Sequence, residues 1–164
     1  MKRLLRHLFA PSVRGLFPEE RLQRIHDAIA AGEAGHRGEI CFAVEPALHW
    51  RDVVAGVDSR RHAEDAFARL RVWDTVANNG VLLYLLLADH RIEIVADRGL
   101  GDRVSADQWR GICQLVEERM RAGDPEAAIL QGVGKIHQLL AEHFPRAEGD
   151  VDEDELPNRP VILG

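Results

Sequence analysis

The sequence predicts an α/β fold in which a small mixed sheet lies between helices, as a three-layer α/β/α sandwich. Continuous apolar runs of strand length occur at 38–44 and 81–87, which is typical of strands covered on both faces. Segments with helical spacing of their apolar residues lie before, between and after these runs. The resulting order α, β, α, β, β, α, α contains about four helices and indicates a layered domain.

Size and charge restrict the class of protein. A chain of 164 residues that is 46% hydrophobic and 29% charged can bury a core. The formal net charge of -6 removes the electrostatic attraction that dominates nucleic-acid binding, so no nucleic-acid partner is expected. The longest uncharged run, 75–88, is shorter than the ~20 residues of a spanning helix. Because no signal-peptide pattern precedes it, we expect a soluble, cytoplasmic protein.

Residues 1–16 are predicted to form a basic amphipathic arm. They carry four cationic side chains and no acid, and Leu4, Leu5, Leu8 and Phe9 would cluster on one face of a helix. Such an arm could dock on an anionic membrane surface or on a partner protein, or it could pack on its own domain. The last alternative is favoured because a single short segment binds lipid only marginally.

The first half of the predicted domain, 17–146, contains two helices and a strand. Pro18 with acids beside it begins a helix over 18–34. The run GEICFAV at 38–44 follows as a buried strand. A second amphipathic helix then occupies 59–70.

The second half contains a hairpin and two helices. The strands 81–87 and 92–96 are joined through Asp89 and His90. A capping box at 105–108 begins the next helix, and Asp124-Pro125-Glu126 begins the last one. Six acids among the eight residues 148–155 predict that the tail, 147–164, is solvated and disordered.

Oxygen-bearing side chains flank both strands of the hairpin. Asp74, Asn78, Asn79 and Gly80 precede the first strand, and Asp97 follows the second. In a hairpin these two positions lie at the same end of the sheet. Carboxylate and amide oxygens suit Ca²⁺ or Mg²⁺, so a metal site at this end is one interpretation, with Asp102 and Glu39 as weaker additions. The alternative is that Asp74 and Asn78 only satisfy backbone groups in a turn.

Competing sites are weaker. The acidic tail lacks the glycine and the final glutamate of an EF-hand loop, and Gly99-Leu100-Gly101 is too short for a dinucleotide fingerprint, so no nucleotide cofactor is expected. The eight histidines are scattered and are predicted to be surface residues. Cys41 and Cys113 belong to no redox or nucleophile motif and are predicted to be buried thiols.

The ordered elements and the stretch NNGVLLYLLLADHRIEIVADRG resemble the TPM domain family. The resemblance spans roughly 17–144 and includes the closing helix pair after Gly123-Asp124-Pro125. It implies an α/β/α sandwich with a divalent-cation site in loops at one end of the sheet. Carried over to this chain, the metal ligands would be Asp74, Asn78 and the strand-entering Asn79. Members commonly have a glycine-rich step where this chain has Asp97 and Arg98.

The resemblance implies two functions. The first is a binding or assembly module in which a bound cation orders loops that touch an unknown protein partner. The second is a weak metal-assisted acid phosphatase, with Asp74 and Asp97 holding the metal and Arg98 holding the phosphate. The sequence offers no nucleophile for the second reaction. We therefore favour the binding module, and whether the protein is an enzyme stays open at this stage.

Overall fold

The computed structural model describes residues 1–150 and 155–164, which fold as helices on both faces of a four-stranded sheet. The helices are α1 (Lys2–Leu8), α2 (Val13–Leu16), α3 (Glu19–Glu33), α4 (Trp50–Val54), α5 (Ser59–Arg69), α6 (Ala106–Arg121) and α7 (Pro125–His143). The strands are β1 (Glu39–Glu45), β2 (Gly80–Leu86), β3 (Arg91–Ala96) and β4 (Val161–Ile162). A short 3₁₀ helix, Arg98–Leu100, follows β3.

The sheet is mixed, with the strand order β3-β2-β1-β4. β1 is parallel to β2 and to β4, whereas β2 and β3 form the antiparallel hairpin. Glu39 pairs with Gly80, and Val81 pairs with Ala96. The start of β1, the start of β2 and the end of β3 therefore lie at one end of the sheet, which we call the loop end.

Two hydrophobic clusters cover the two faces of the sheet. Alternate residues of β2, such as Leu83 and Leu85, pack with α3, α6 and α7, whereas Leu82 and Leu86 face α4 and α5. All seven residues of β1 and all seven of β2 are buried. This confirms the predicted three-layer α/β/α sandwich and explains why both strands read as continuous apolar runs.

Element boundaries agree with the predicted ones to within a few residues, but the short helices α2 and α4 and the strand β4 were not predicted. The loop after β1 contains α4, whose His49 accepts a hydrogen bond from the backbone of Arg51 at the helix start. β4 was not predicted because it consists of two residues that follow an acidic run. A strand this short has no periodicity, and its formation depends on the open edge of β1.

The two chain termini pack on the domain. The side chain of His7 is buried, and Leu4 packs against the cluster that contains Tyr84. The sequence predicts a disordered tail over 147–164, whereas Leu156 is 5% exposed and Val161 pairs with Ala43. Transfer of the leucine side chain from water to the protein interior is favourable, and this free energy offsets the repulsion between neighbouring acids. The acids at positions 152–154 lie outside the described residues.

Candidate functional site

The two segments that carry Asn78, Asn79 and Asp97 meet at the loop end of the sheet. Asp97 donates its backbone N–H to the carbonyl of Gly80 over 2.9 Å, which extends the hairpin by one pair. Gly99 donates its N–H to the carbonyl of Asn78 over 2.8 Å. The loop before β2 and the turn after β3 are therefore in direct backbone contact, as the hairpin interpretation predicts.

Gly99 permits this close approach, and Gly80 permits another one within the segment before β2. A Cβ on Gly99 would lie 2.4 Å from the carbonyl oxygen of Asn78, and one on Gly80 would lie 2.0 Å from that of Val72. Backbone atoms cannot yield in the way that a flexible side chain can, so a larger residue at Gly99 would separate the loop before β2 from the turn after β3. Asn78 itself adopts a φ of 51°, a left-handed conformation that asparagine tolerates well.

Asn79 and Asp97 are the buried members of the site. Asn79 is fully buried, and its side-chain amide donates to the carbonyl of Arg37 over 2.8 Å. Its backbone N–H donates to Thr75 Oγ1 over 3.1 Å. Asp97 is 9% exposed, and its Oδ1 accepts the N–H of Arg98 over 2.7 Å. Within the described part of the chain, Asn79 Oδ1 and Asp97 Oδ2 are both buried without a hydrogen-bond partner.

Asn78 is held by Arg98. The Arg98 Nε donates to Asn78 Oδ1 over 3.0 Å, and the arginine is otherwise exposed. Its positive charge thus lies beside the proposed ligands, bound to an amide oxygen of this chain. Arg98 therefore bridges the two segments of the loop end.

Asp74 differs from the other predicted ligands. Its carboxylate is about half exposed and lies 2.6 Å from the guanidinium of Arg71, three residues earlier. Its backbone N–H also bonds to the Arg71 carbonyl. This geometry is that of an exposed turn closed by an ion pair, which agrees with the turn interpretation of this residue.

The weaker candidates have other roles. Glu39 is buried, and its carboxylate accepts the backbone N–H groups of Glu155 and Leu156 over 3.4 Å each. Glu155 in turn accepts the N–H of Val76 over 2.7 Å. These contacts fasten the C-terminal segment to the loop end, and sequence reasoning missed them because Glu155 belongs to the acidic run. Asp102 is exposed.

The donor chemistry at the loop end suits a hard cation. Asn79 and Asp97 supply an amide oxygen and a carboxylate oxygen, the ligand types that Ca²⁺ and Mg²⁺ prefer. Among residues 1–150 and 155–164, no three His, Cys, Asp or Glu side chains are grouped so as to hold a metal. A cation at this end would therefore draw its remaining oxygens from backbone carbonyls and water.

The predictions for the histidines and for the cysteines have different outcomes. His7 and His36 are buried, which corrects the prediction that the histidines lie at the surface. Local spacing could not reveal this because their partners are distant in sequence. Burial raises the pKa of both thiols, Cys41 and Cys113, to about 12, so at neutral pH both are protonated and poorly nucleophilic.

No helix in the described part of the chain is both long and apolar enough to cross a bilayer.

Comparisons with known proteins agree with this architecture. The structure resembles the BA42 protein from the psychrophilic bacterium Bizionia argentinensis, with a TM-score of 0.79, 28% identity and coverage of 93% of this chain and 99% of that one. It also resembles the N-terminal domain of a protein from P. gingivalis, with a TM-score of 0.63, 19% identity and coverage of 83% and 85%. The second match, at this identity, concerns the fold alone. No curated protein sequence matches the chain.

A family model for the TPM domain matches residues 13–139. The matched region includes all of α2 to α6, the hairpin and the loop end. This is well over half of the chain, so the chain belongs to the TPM domain family.

Proposed function

We propose that this TPM domain is a binding or assembly module whose loop end holds a Ca²⁺ or Mg²⁺ ion. The observation that carries the proposal is the pair of buried oxygens, Asn79 Oδ1 and Asp97 Oδ2, that lack hydrogen-bond partners. A buried carboxylate oxygen without a partner is destabilising. A cation supplies the missing interaction, and both oxygens are of the type that it prefers.

The four proposed ligands differ in the contacts that their side-chain oxygens already make. Asn79 and Asp97 have oxygens that are not already used, whereas Asn78 Oδ1 is bound by Arg98 and Asp74 is paired with Arg71. Asn79 and Asp97 are therefore the primary ligands in this proposal. Asn78 and Asp74 would join them only after releasing their arginines.

The proposed role of the cation is to fix the surface of the loop end. Asn79 precedes β2 and Asp97 follows β3, so an ion held by both would tie the two segments together. Val76 is 90% exposed and Trp73 is 48% exposed on the same loop. Exposed aromatic and aliphatic side chains on an ordered loop are suited to contact a protein partner.

The alternative function, a metal-assisted acid phosphatase, has less support. It assigns the phosphate to Arg98, whose guanidinium already donates to Asn78 Oδ1. Neither cysteine is an activated nucleophile, since the pKa of each thiol is raised to about 12. No specific observation at the loop end favours turnover over binding.

A thermal titration tests the metal site. We expect Ca²⁺ or Mg²⁺ to raise the Tm of the purified protein, because a ligand that binds only the folded state adds about 2.7 kcal/mol of stability at one hundred times its Kd. Asp97→Asn should abolish this rise, because it removes the negative charge next to the cation. In NMR spectra, the backbone amide signals of Asn78, Asn79 and Asp97 should shift during the same titration.

Two variants complete the design. Asp107→Asn, at an exposed position near the start of α6, is the matched control and should leave the metal response unchanged. Asp74→Asn separates primary from secondary ligands, and we expect it to weaken the response less than Asp97→Asn does. A Tm that neither cation changes, or a full response in Asp97→Asn, would show that the loop end is not a cation site.

A further inference from the structure

A second surface, at the opposite end of the sheet, carries an inference that is independent of the loop end. It is built from two helices that pack against each other, α1 with the exposed Leu5, Leu8 and Phe9, and α4 with the exposed Trp50 and Val54. These five apolar side chains are between 51% and 81% exposed. We call this the α1–α4 surface.

The α1–α4 surface is held in place by the domain. Arg3 Nε donates to Asp89 Oδ2 over 2.9 Å, and His7 Nε2 lies 3.1 Å from Asp89 Oδ1. Two residues of α1 therefore contact the hairpin turn. The other ring nitrogen of His7 accepts the backbone N–H of Leu48 over 2.9 Å, just before α4. α1 also packs against α4. The helix therefore cannot rotate its apolar side inward without breaking these contacts.

Asp89 is tied electrostatically to α1. Burial raises the pKa of this carboxyl, but the hydrogen bond from Arg3 and the adjacent His7 ring outweigh burial and hold the pKa below its ordinary value. The carboxylate is thus ionised at neutral pH and keeps α1 attached. Because α1 is held in this orientation, Leu4 packs inward, and Leu5 and Leu8 lie on the outside.

The charges around the surface identify its occupant. Lys2 and Arg51 are exposed cations on the same two helices, and Arg6 is half exposed with its guanidinium 3.5 Å from Asp89 Oδ1. Among the acids of this region, Asp89 holds α1, Asp58 caps α5 through the backbone N–H of Arg61, and the Asp52 carboxylate lies 3.8 Å from the His62 ring. The chain as a whole carries a net charge of -6, so this basic and apolar surface contrasts with the remainder of the protein.

We propose that the α1–α4 surface docks on an anionic lipid bilayer, with its leucines, Phe9 and Trp50 at the headgroup boundary and its cations among the headgroups. Apolar and aromatic side chains flanked by lysine and arginine are the pattern of interfacial helices. A second copy of this chain fits less well, because a two-fold contact would bring Lys2, Arg6 and Arg51 of both copies together. A single flexible segment binds lipid only marginally, but here two helices present a surface that is already ordered.

Vesicle co-sedimentation of the full chain tests this proposal. Binding to vesicles of phosphatidylserine and phosphatidylcholine should exceed binding to phosphatidylcholine alone, and should fall when salt rises from about 0.1 M to about 1 M. The triple variant Leu5→Ser, Leu8→Ser, Phe9→Ser should lower the partition coefficient by roughly tenfold or more. Val76→Ser, a similarly exposed apolar position at the loop end, is the control and should bind as the unmodified chain does.

Tryptophan quenching gives an independent readout. Brominated lipids should quench the fluorescence of the bound protein, and this quenching should be largely lost in Trp50→Phe but kept in Trp73→Phe. Circular dichroism of each variant verifies that it is folded. The proposal is overturned by absent binding to anionic vesicles, by unchanged binding of the triple variant, or by quenching that survives Trp50→Phe. It is also overturned by a concentration-dependent dimer that the triple variant dissolves while vesicles leave the chain unbound, because the surface would then join two copies.

Discussion

At the scale of single residues, His36 and His137 form a hydrogen-bonded chain whose proton positions are fixed by their neighbours. Gly38 donates its N–H to His36 Nδ1 over 3.1 Å, so the proton of His36 must reside on Nε2. That nitrogen lies 2.6 Å from His137 Nδ1, and His137 Nε2 lies 3.3 Å from the carbonyl of Ala28. Both rings are therefore neutral and donate in the same direction.

This chain makes stability depend on pH. Burial, then the nearby His137, lowers the pKa of His36 from 6.5 to about 4, and Arg146, bound to the His36 carbonyl, acts in the same sense. Burial also lowers the pKa of His137. A base whose pKa is lowered by folding takes up protons more readily when unfolded. Its stabilising contribution is therefore complete above pH 6.5 and is lost as the pH falls towards 4.

We expect the free energy of unfolding to fall by roughly 2 kcal/mol between pH 7 and pH 5 from His36 alone. Urea unfolding at the two pH values measures the difference. His36→Gln should reduce the pH dependence whatever its effect on stability at pH 7, because glutamine does not titrate. His26→Gln, at a partly exposed position on α3, should retain it. Equal pH dependence in all three proteins would contradict the neutral histidine chain.

At the scale of elements, the C-terminal segment is the part that local pattern misjudged. The acidic composition of residues 148–155 predicts a solvated segment. The same prediction extends to the residues that follow, up to 164. In the fold, Leu156 enters the cluster beside α5, and β4 pairs with the free edge of β1. An edge strand with unpaired backbone groups accepts even a two-residue partner.

Leu156→Ala should destabilise the protein by about 2 to 3 kcal/mol, the cost of removing a buried leucine side chain. Ile162→Ala, at a position in β4 that is 46% exposed, should cost less than about 1 kcal/mol. Urea unfolding of the two variants measures both values. If Leu156→Ala were as stable as the unmodified chain, the C-terminal segment would not be part of the core.

At the other end of the chain, local pattern also could not predict which side of α1 faces the domain. Its composition predicts a basic amphipathic arm, and the sequence favours packing on the domain over docking elsewhere. The structure provides the packing through Leu4 and His7, yet it leaves Leu5, Leu8 and Phe9 outside. This short helix thus has apolar residues on both its inner and its outer side. In seven residues, hydrophobic periodicity cannot show which apolar side faces the domain.

At the scale of the whole molecule, one sheet supports both hydrophobic clusters. Leu82 and Leu83 are neighbours in β2 but belong to clusters on opposite faces. If either cluster is lost, one face of the strands that support the other cluster becomes exposed. The proposed cation surface and the proposed lipid surface lie at opposite ends of this shared sheet.

We expect a single cooperative unfolding transition. Leu82→Ala and Leu83→Ala should each lower stability by about 2 to 5 kcal/mol and should leave the dependence of the free energy on urea unchanged. Tryptophan fluorescence and circular dichroism should give coincident transitions in both variants. Separate transitions for the two probes would indicate that the two faces unfold independently.

The three-layer architecture, the hairpin and the loop end could be predicted from the amino-acid sequence, because they depend on local signals. β1 and β2 are apolar throughout since both faces are covered, and helix caps such as Ser105 and Asp124 act within one turn. The hairpin then brings Asp97 beside Gly80 without any long-range information.

Which of those loop residues are buried and which are paired in solvent depends on the tertiary packing. Asp74 and Asn79 are both polar residues in one turn, but Asp74 meets Arg71 in solvent while Asn79 is buried against Arg37. The pairing of His36 with His137, the burial of Leu156 and the outward side of α1 also depend on residues distant in the chain. Burial and hydrogen-bond partners are set by the packing of whole elements, and for that reason no local pattern of residues contains them.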